Sequence, residues 1–126
     1  MSAEKPGTWD EVLATHRPEV VAAAHAIQGV IVEEAPDVVV HFDRGDGLLA
    51  FGRSSAMRDL LFALIPHAGW LNLQLADGAS LPDPAGIVEG TGKRIRHVKL
   101  RSAEAAARPA VRELVREQLR AHAARA

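Results

Sequence analysis

The sequence predicts an α+β domain in which a mostly antiparallel sheet of four or five strands packs with N-terminal and C-terminal helices. Three observations predict it. Both ends of the chain carry apolar residues at helical spacing, the middle carries short apolar runs separated by turn residues, and one of those runs alternates cleanly between apolar and polar positions. With 126 residues the chain has the size of one domain, and such a domain buries roughly two thirds of its unfolded surface. The expectation is one domain over residues 1–126.

Thr8-Trp9-Asp10-Glu11 has the form of a capping box and predicts a short helix from Trp9 to about Thr15. Pro18 suits the first turn of a longer helix, in which Val20, Ala24, Ile27 and Ile31 form an apolar stripe ending near Pro36. Within it, Val30-Ile31-Val32 suits a strand as well as a helix. Val38 to Phe42, the turn Gly45-Asp46-Gly47 and Leu48 to Gly52 read as a β-hairpin. Leu60 to Ile65 is apolar on both parities, as in a central strand covered on two faces, although a run this short also fits a helix segment. From Trp70 to Leu75 the leucines share one face and Trp70, Asn72 and Gln74 the other. Pro82-Asp83-Pro84 and the glycines at 86, 90 and 92 mark an irregular crossing before a last strand, Ile95 to Arg101. Ser102 caps a helical turn, and Pro109 starts a final helix with a buried stripe of Val111, Leu114, Val115 and Leu119.

A formal net charge of −1 with 25% charged residues supplies no global field towards nucleic acid or an anionic membrane. Aromatic residues make up only 4%, which argues against a stacking platform for single strands. No cysteine is present, so disulfides and thiolate metal sites are excluded. The first residues form no apolar signal core, and no apolar run approaches membrane-spanning length. The expectation is a cytoplasmic protein, a monomer or weak homodimer, without nucleic-acid or membrane partners.

Gly90-Thr91-Gly92-Lys93 superficially suggests a phosphate loop, but Ile87 stands at the first glycine position of a Walker A motif and Arg94 follows the lysine. A glycine turn into a strand fits better. Lys93, Arg94, Arg96, Lys99 and Arg101 form a basic run able to hold a phosphate or carboxylate, or simply to discourage edge pairing. Arg96 shares parity with Val98 and Leu100 and is expected to face the covered side. There it clamps the Asp83 to Gly92 loop through carboxylate or carbonyl bonds, worth on the order of 2 to 4 kcal/mol. Arg108, Arg112, Arg116 and Arg120 recur at four-residue steps; Glu104, Glu113 and Glu117 are placed to neutralise Arg108, Arg116 and Arg120. Six histidines form no metal-binding motif. His41, Asp43 and Asp46 are hard-metal ligand types at the hairpin mouth, with turn stabilisation as the competing role of the two aspartates. No serine lies in a nucleophile elbow. Trp70, Asn72 and Gln74, together with Lys93, Arg96 and His97, are the candidate ligand-binding residues, by the chemistry of a small-ligand wall or partner surface.

Asp83-Pro84, Gly90-Thr91-Gly92-Lys93 and Arg96-His97, preceded by Ile65-Pro66-His67 and the Leu71-Asn72-Leu73 strand, stand in an order that resembles the YdhG-like family, a bacterial domain of unknown function. The resemblance covers about Arg17 to His122. Members often carry a lysine, an aromatic residue and a proline before the first hairpin, where this chain has His41-Phe42-Asp43-Arg44. They also often have a lysine after Pro-His, where Ala68 stands. The resemblance implies an α+β fold and, through the label frataxin-like iron chaperone given to some members, iron as the alternative ligand. The residues themselves point first to a non-catalytic binding module for a small anionic or polar ligand or a protein partner, without a cofactor. An enzyme with an unfamiliar site is the third reading.

Overall fold

The computed structural model describes residues 4–125, so the first three residues and the last of the expected domain lie outside the described residues. Helices α1 (Trp9–Leu13) and α2 (Pro18–Glu34) precede strands β1 (Val39–Asp43), β2 (Leu48–Gly52), β3 (Leu60–Pro66), β4 (Leu71–Leu75) and β5 (Arg96–Leu100); α3 (Ala103–Ala106) and α4 (Pro109–Arg125) follow. The five strands form one antiparallel sheet in sequence order, an α+β arrangement with helices at both ends of the chain. Among the described residues no helix is long and apolar enough to cross a membrane.

Local chemistry accounts for the element ends. Thr8 accepts from the Glu11 amide at 3.1 Å, but Glu11 reaches past the cap to the Gly7 amide, so the box closes one residue earlier than its pattern implies; at the other end the Thr15 hydroxyl and amide both donate to the Val12 carbonyl, and α1 stops at Leu13. Pro18 opens α2. Val30 to Val32 are helical, because Val30 and Ile31 continue the stripe of Val20, Ala23, Ala24 and Ile27 into the core. Gly47 takes a φ of 64° in the hairpin turn, a conformation that suits glycine. Ser102 accepts from Ala105 N and caps α3.

Register then divides the sheet into two faces. Leu49, Leu64, Leu73 and Val98 stand side by side on one face, and Phe51, Phe62, Leu75 and Arg96 form the next row. These rows, apart from Arg96, join α1, α2, α3 and α4 in a single core cluster. Each large apolar side chain buried there contributes about 1.5–3 kcal/mol. Phe51 pairs with Phe62 but Gly52 with Leu60, so Leu61 is the extra residue of an irregularity that turns a second consecutive side chain towards the core. On α4 the stripe departs from expectation: Leu119 is half-buried, and Gln118 and His122 are buried in line with Val111, Leu114 and Val115.

Those two polar residues pin α4 to the loops below the sheet. Gln118 accepts from the Asp77 amide at 2.7 Å and donates to the Asp77 carboxylate at 2.6 Å. Arg94 and Arg125 complete the shell of this carboxylate at 2.9–3.1 Å. Just beyond β4, Gly78 lies so close to β5 that an added Cβ would sit 2.8 Å from that of Arg96. One turn away along α4, His122 Nε2 lies 3.2 Å from Asp59 Oδ1, while Ser54 donates to Asp59 Oδ2 at 2.6 Å. On the outer side of α4, Arg112 pairs with Glu33 and Glu34, and Arg116 with Glu34. Two of the expected pairs within the helix form, Glu113 with Arg116 and Glu117 with Arg120. The third does not: Glu104 leaves Arg108 alone, because α3 ends at Ala106 and the two residues do not share a continuous helix.

Burial acts to raise the Asp77 pKa, but bonds from Arg125, Gln118 and Arg94 outweigh it and hold the carboxyl at about 2. A group depressed in the folded state stabilises the fold above its unfolded pKa, and that contribution, on the order of 2 kcal/mol, is lost as pH falls through the folded value. Asp77→Asn is therefore expected to cost about 3 kcal/mol at neutral pH, because two guanidinium groups lose their counter-charge. It should also flatten the fall in stability between about pH 4 and pH 2. Urea denaturation across that range checks both; an unaltered acid slope in the mutant would remove Asp77 from this role.

Candidate functional site

Among the described residues no α-helix lines the second face of the sheet, and its chemistry follows from the register. His41, Ala50, Ala63, Gln74 and His97 occupy one row across all five strands. The two alanines leave the middle of that row low, while His41 and Gln74 stand on either side. The result is a trough of about 320 Å³, closed at one end by Ser54, Ser55 and Met57 and bordered at the hairpin end by Asp43 and Asp46. Clefts of this volume suit small molecules, and an apolar floor with a few polar side chains at its rim is the usual lining of such sites.

Of the residues the sequence singled out, Gln74 and the trio His41, Asp43 and Asp46 line this trough. Asp43 uses one carboxylate oxygen to accept from the Asp46 amide at 3.1 Å, the turn-stabilising role. Among the described residues no group of three or more His, Asp or Glu side chains is arranged to hold a metal ion.

Trp70 and Asn72 belong to a different cluster. Trp70 donates to Asn72 Oδ1 at 2.8 Å, Asn72 donates to His67 Nε2 at 3.1 Å, and the rings of His67 and Trp70 stack at 5.0 Å. Lys99 and Arg101 lie 4.8 and 5.6 Å from the Trp70 ring centre, within cation–π range. The indole N–H and the Asn72 amide thus bond within the cluster, and of its two cations Arg101 is the exposed one.

The basic run is divided among several tasks. Arg94 serves Asp77, Lys99 reaches Glu89 at 3.7 Å, and Lys93 is exposed. Arg96 takes the parity of Val98 and Leu100 but stands at the margin of the core, half-buried. Its Nε donates to the Gly92 carbonyl at 3.0 Å through a solvent-exposed bond. It does clamp the loop, through a carbonyl; the acids near it in sequence are engaged elsewhere, Asp83 with the amides of Ile87 and Val88 and Glu89 with Lys99. His97 joins the trough row, and its backbone exchanges two bonds with Glu89.

Asp59, Asp77, Gln118 and His122 were not singled out from the sequence. Their one signal lies on α4, where 118 and 122 fall at the helical spacing of the apolar stripe. Ser54, Asp59 and His122 contain the residue types of a hydrolytic triad, but the carboxylate stands between serine and histidine. The Ser54 hydroxyl donates to Asp59, so no imidazole receives its proton. Bonds from Ser54, opposed by desolvation and joined by His122, lower the Asp59 pKa.

The chain matches no family model, no curated protein and no solved structure.

The exposed geometry of the Arg96 bond revises its expected energetic weight downwards. Arg96→Ala is expected to cost about 1 kcal/mol, the worth of one solvent-accessible hydrogen bond, in place of the 2 to 4 kcal/mol of a buried clamp. Chemical denaturation measures it. A loss above about 3 kcal/mol would mean that the side chain has buried acceptors beyond Gly92.

Proposed function

We propose that this domain is a non-catalytic binding module that takes a small polar ligand, or a side chain of a protein partner, in the trough on the open face of its sheet. The observation that carries the reading is the row His41, Ala50, Ala63, Gln74: two small residues between two hydrogen-bonding ones, on a face with no helix over it. The imidazole of His41 and the amide of Gln74 can each donate and accept, so they suit an uncharged ligand edge with both kinds of group. Asp43 and Asp46 at one end disfavour an anion there. A non-catalytic role is supported by the arrangement around Ser54, whose hydroxyl donates to the Asp59 carboxylate and, among the described residues, to no imidazole. The YdhG-like reading stands on the motifs quoted above, and iron enters through that resemblance.

Ala50 is half-buried, so Ala50→Trp should fill the trough and leave the core intact. In a thermal-shift screen of nucleosides, amino acids, small amides and ferrous iron under argon, a trough ligand raises the melting temperature of the wild type by linkage. The same compound is expected to give no shift with Ala50→Trp. A shift that persists in this variant would place the site elsewhere, and an iron-specific shift abolished by Asp43→Ala would favour the iron-chaperone reading.

A further inference from the structure

We propose that the outer edge of β5 is a second site, which binds the carboxy-terminal end of an extended peptide. The backbone of His97 exchanges both of its ladder bonds with Glu89, on the side away from β4. In an antiparallel ladder the alternate residues then face β4, so Lys99 and Arg101 direct their N–H and C=O groups outward. Nothing among the described residues pairs with them. The segment that pairs at Glu89 cannot continue along this edge, because the amides of Ile87 and Val88 are drawn to the Asp83 carboxylate at 3.0 and 2.9 Å and Gly86 turns back onto Asp83. A cleft of about 300 Å³ opens where the two chains part, with Ile87, Leu100, Ala105 and Val111 as its apolar lining and Arg108 at its helical end.

Charge decides the occupant. Of the charged side chains around the cleft, Glu89 and Lys99 pair with each other at 3.7 Å, whereas Arg108 has no carboxylate partner among the described residues, and neither has Arg101. The first turn of α4, which Arg108 precedes, contains no acidic residue, so the favourable end of a 17-residue helix is uncompensated. A chain added to β5 in the parallel sense reaches α3 and α4 at Arg108, so it ends there instead of running through. The N–H of the last residue meets the Lys99 carbonyl, its free carboxylate accepts from the Arg101 amide and meets Arg108, and its side chain enters the apolar lining, while the residues before it leave the edge where Glu89 already holds His97. Strand addition with carboxylate capture is a recurrent way of reading peptide ends.

The test uses the full chain, labelled with nitrogen-15, titrated with a pool of N-acetylated tetrapeptides randomised at the last two positions, and with the same pool amidated at the C-terminus. Saturable shifts are expected at the Lys99 and Arg101 amides and smaller ones at Val98 and Leu100. Amidation or Arg108→Glu should weaken binding by at least about tenfold, the scale of one charge-assisted contact. Arg108 is exposed, so its variant should fold, and Ala50→Trp should bind the peptides as the wild type does. No shift at millimolar peptide, or binding that survives both amidation and Arg108→Glu, would overturn the proposal.

Discussion

Asp77 lies where the end of β4, the approach to β5 and the last helix must meet, and its carboxylate is kept ionised although it is almost out of reach of water. An isolated charge there would be expelled or neutralised. It persists because Gln118 and Arg125 from α4 and Arg94 from the approach to β5 surround it with hydrogen-bond donors, two of them cationic. The arrangement fixes the rotation of α4 about its axis: once Gln118 and His122 face inward, Val111, Leu114 and Val115 follow at helical spacing, and the arginines turn outward to α2. Among the described residues the four α-helices join the core on one face of the sheet, which leaves the other free for the trough.

The elements were legible because each has a local cause. Pro18, Pro109 and Ser102 mark helix starts by their own chemistry, and the alternation of Leu71 to Leu75 states both the strand and its covered face. The ambiguous Val30 to Val32 was settled by tertiary structure, since β-branched residues serve equally well where a helix presses two of three onto a sheet. Even the short apolar run Leu60 to Ile65 became a strand, since neighbours on both sides supply ladder partners.

Much less of the candidate site was legible. Ala50 and Ala63 are unremarkable until the register sets them side by side between His41 and Gln74, and that register depends on the hairpin turn and on the extra residue Leu61. Asp77 and Gln118 are 41 positions apart, and no spacing rule links such a pair. Trp70 and Asn72 were recognisable as a polar and aromatic pair on one strand face, yet sequence could not show that His67 would engage the asparagine. Arg108 was assigned a partner by a helical spacing rule that fails where the helix is interrupted, and this break leaves its charge unspent.

Because every strand pairs with its sequence neighbour and short loops join the first four, β1 to β4 can assemble by successive hairpins, a topology associated with rapid folding, while β5 joins after the longer crossing of residues 76–95. The polar pins between α4 and the loops below the sheet span far greater separations, with His122 and Asp59 63 positions apart. Docking of the last helix thus closes the longest loops in the molecule. During synthesis on the ribosome α1, α2 and the strands emerge before α4, and the part of the apolar face that α4 covers waits for that helix to leave the exit tunnel. The interval before that segment arrives is when the nascent chain is most exposed to association with other chains.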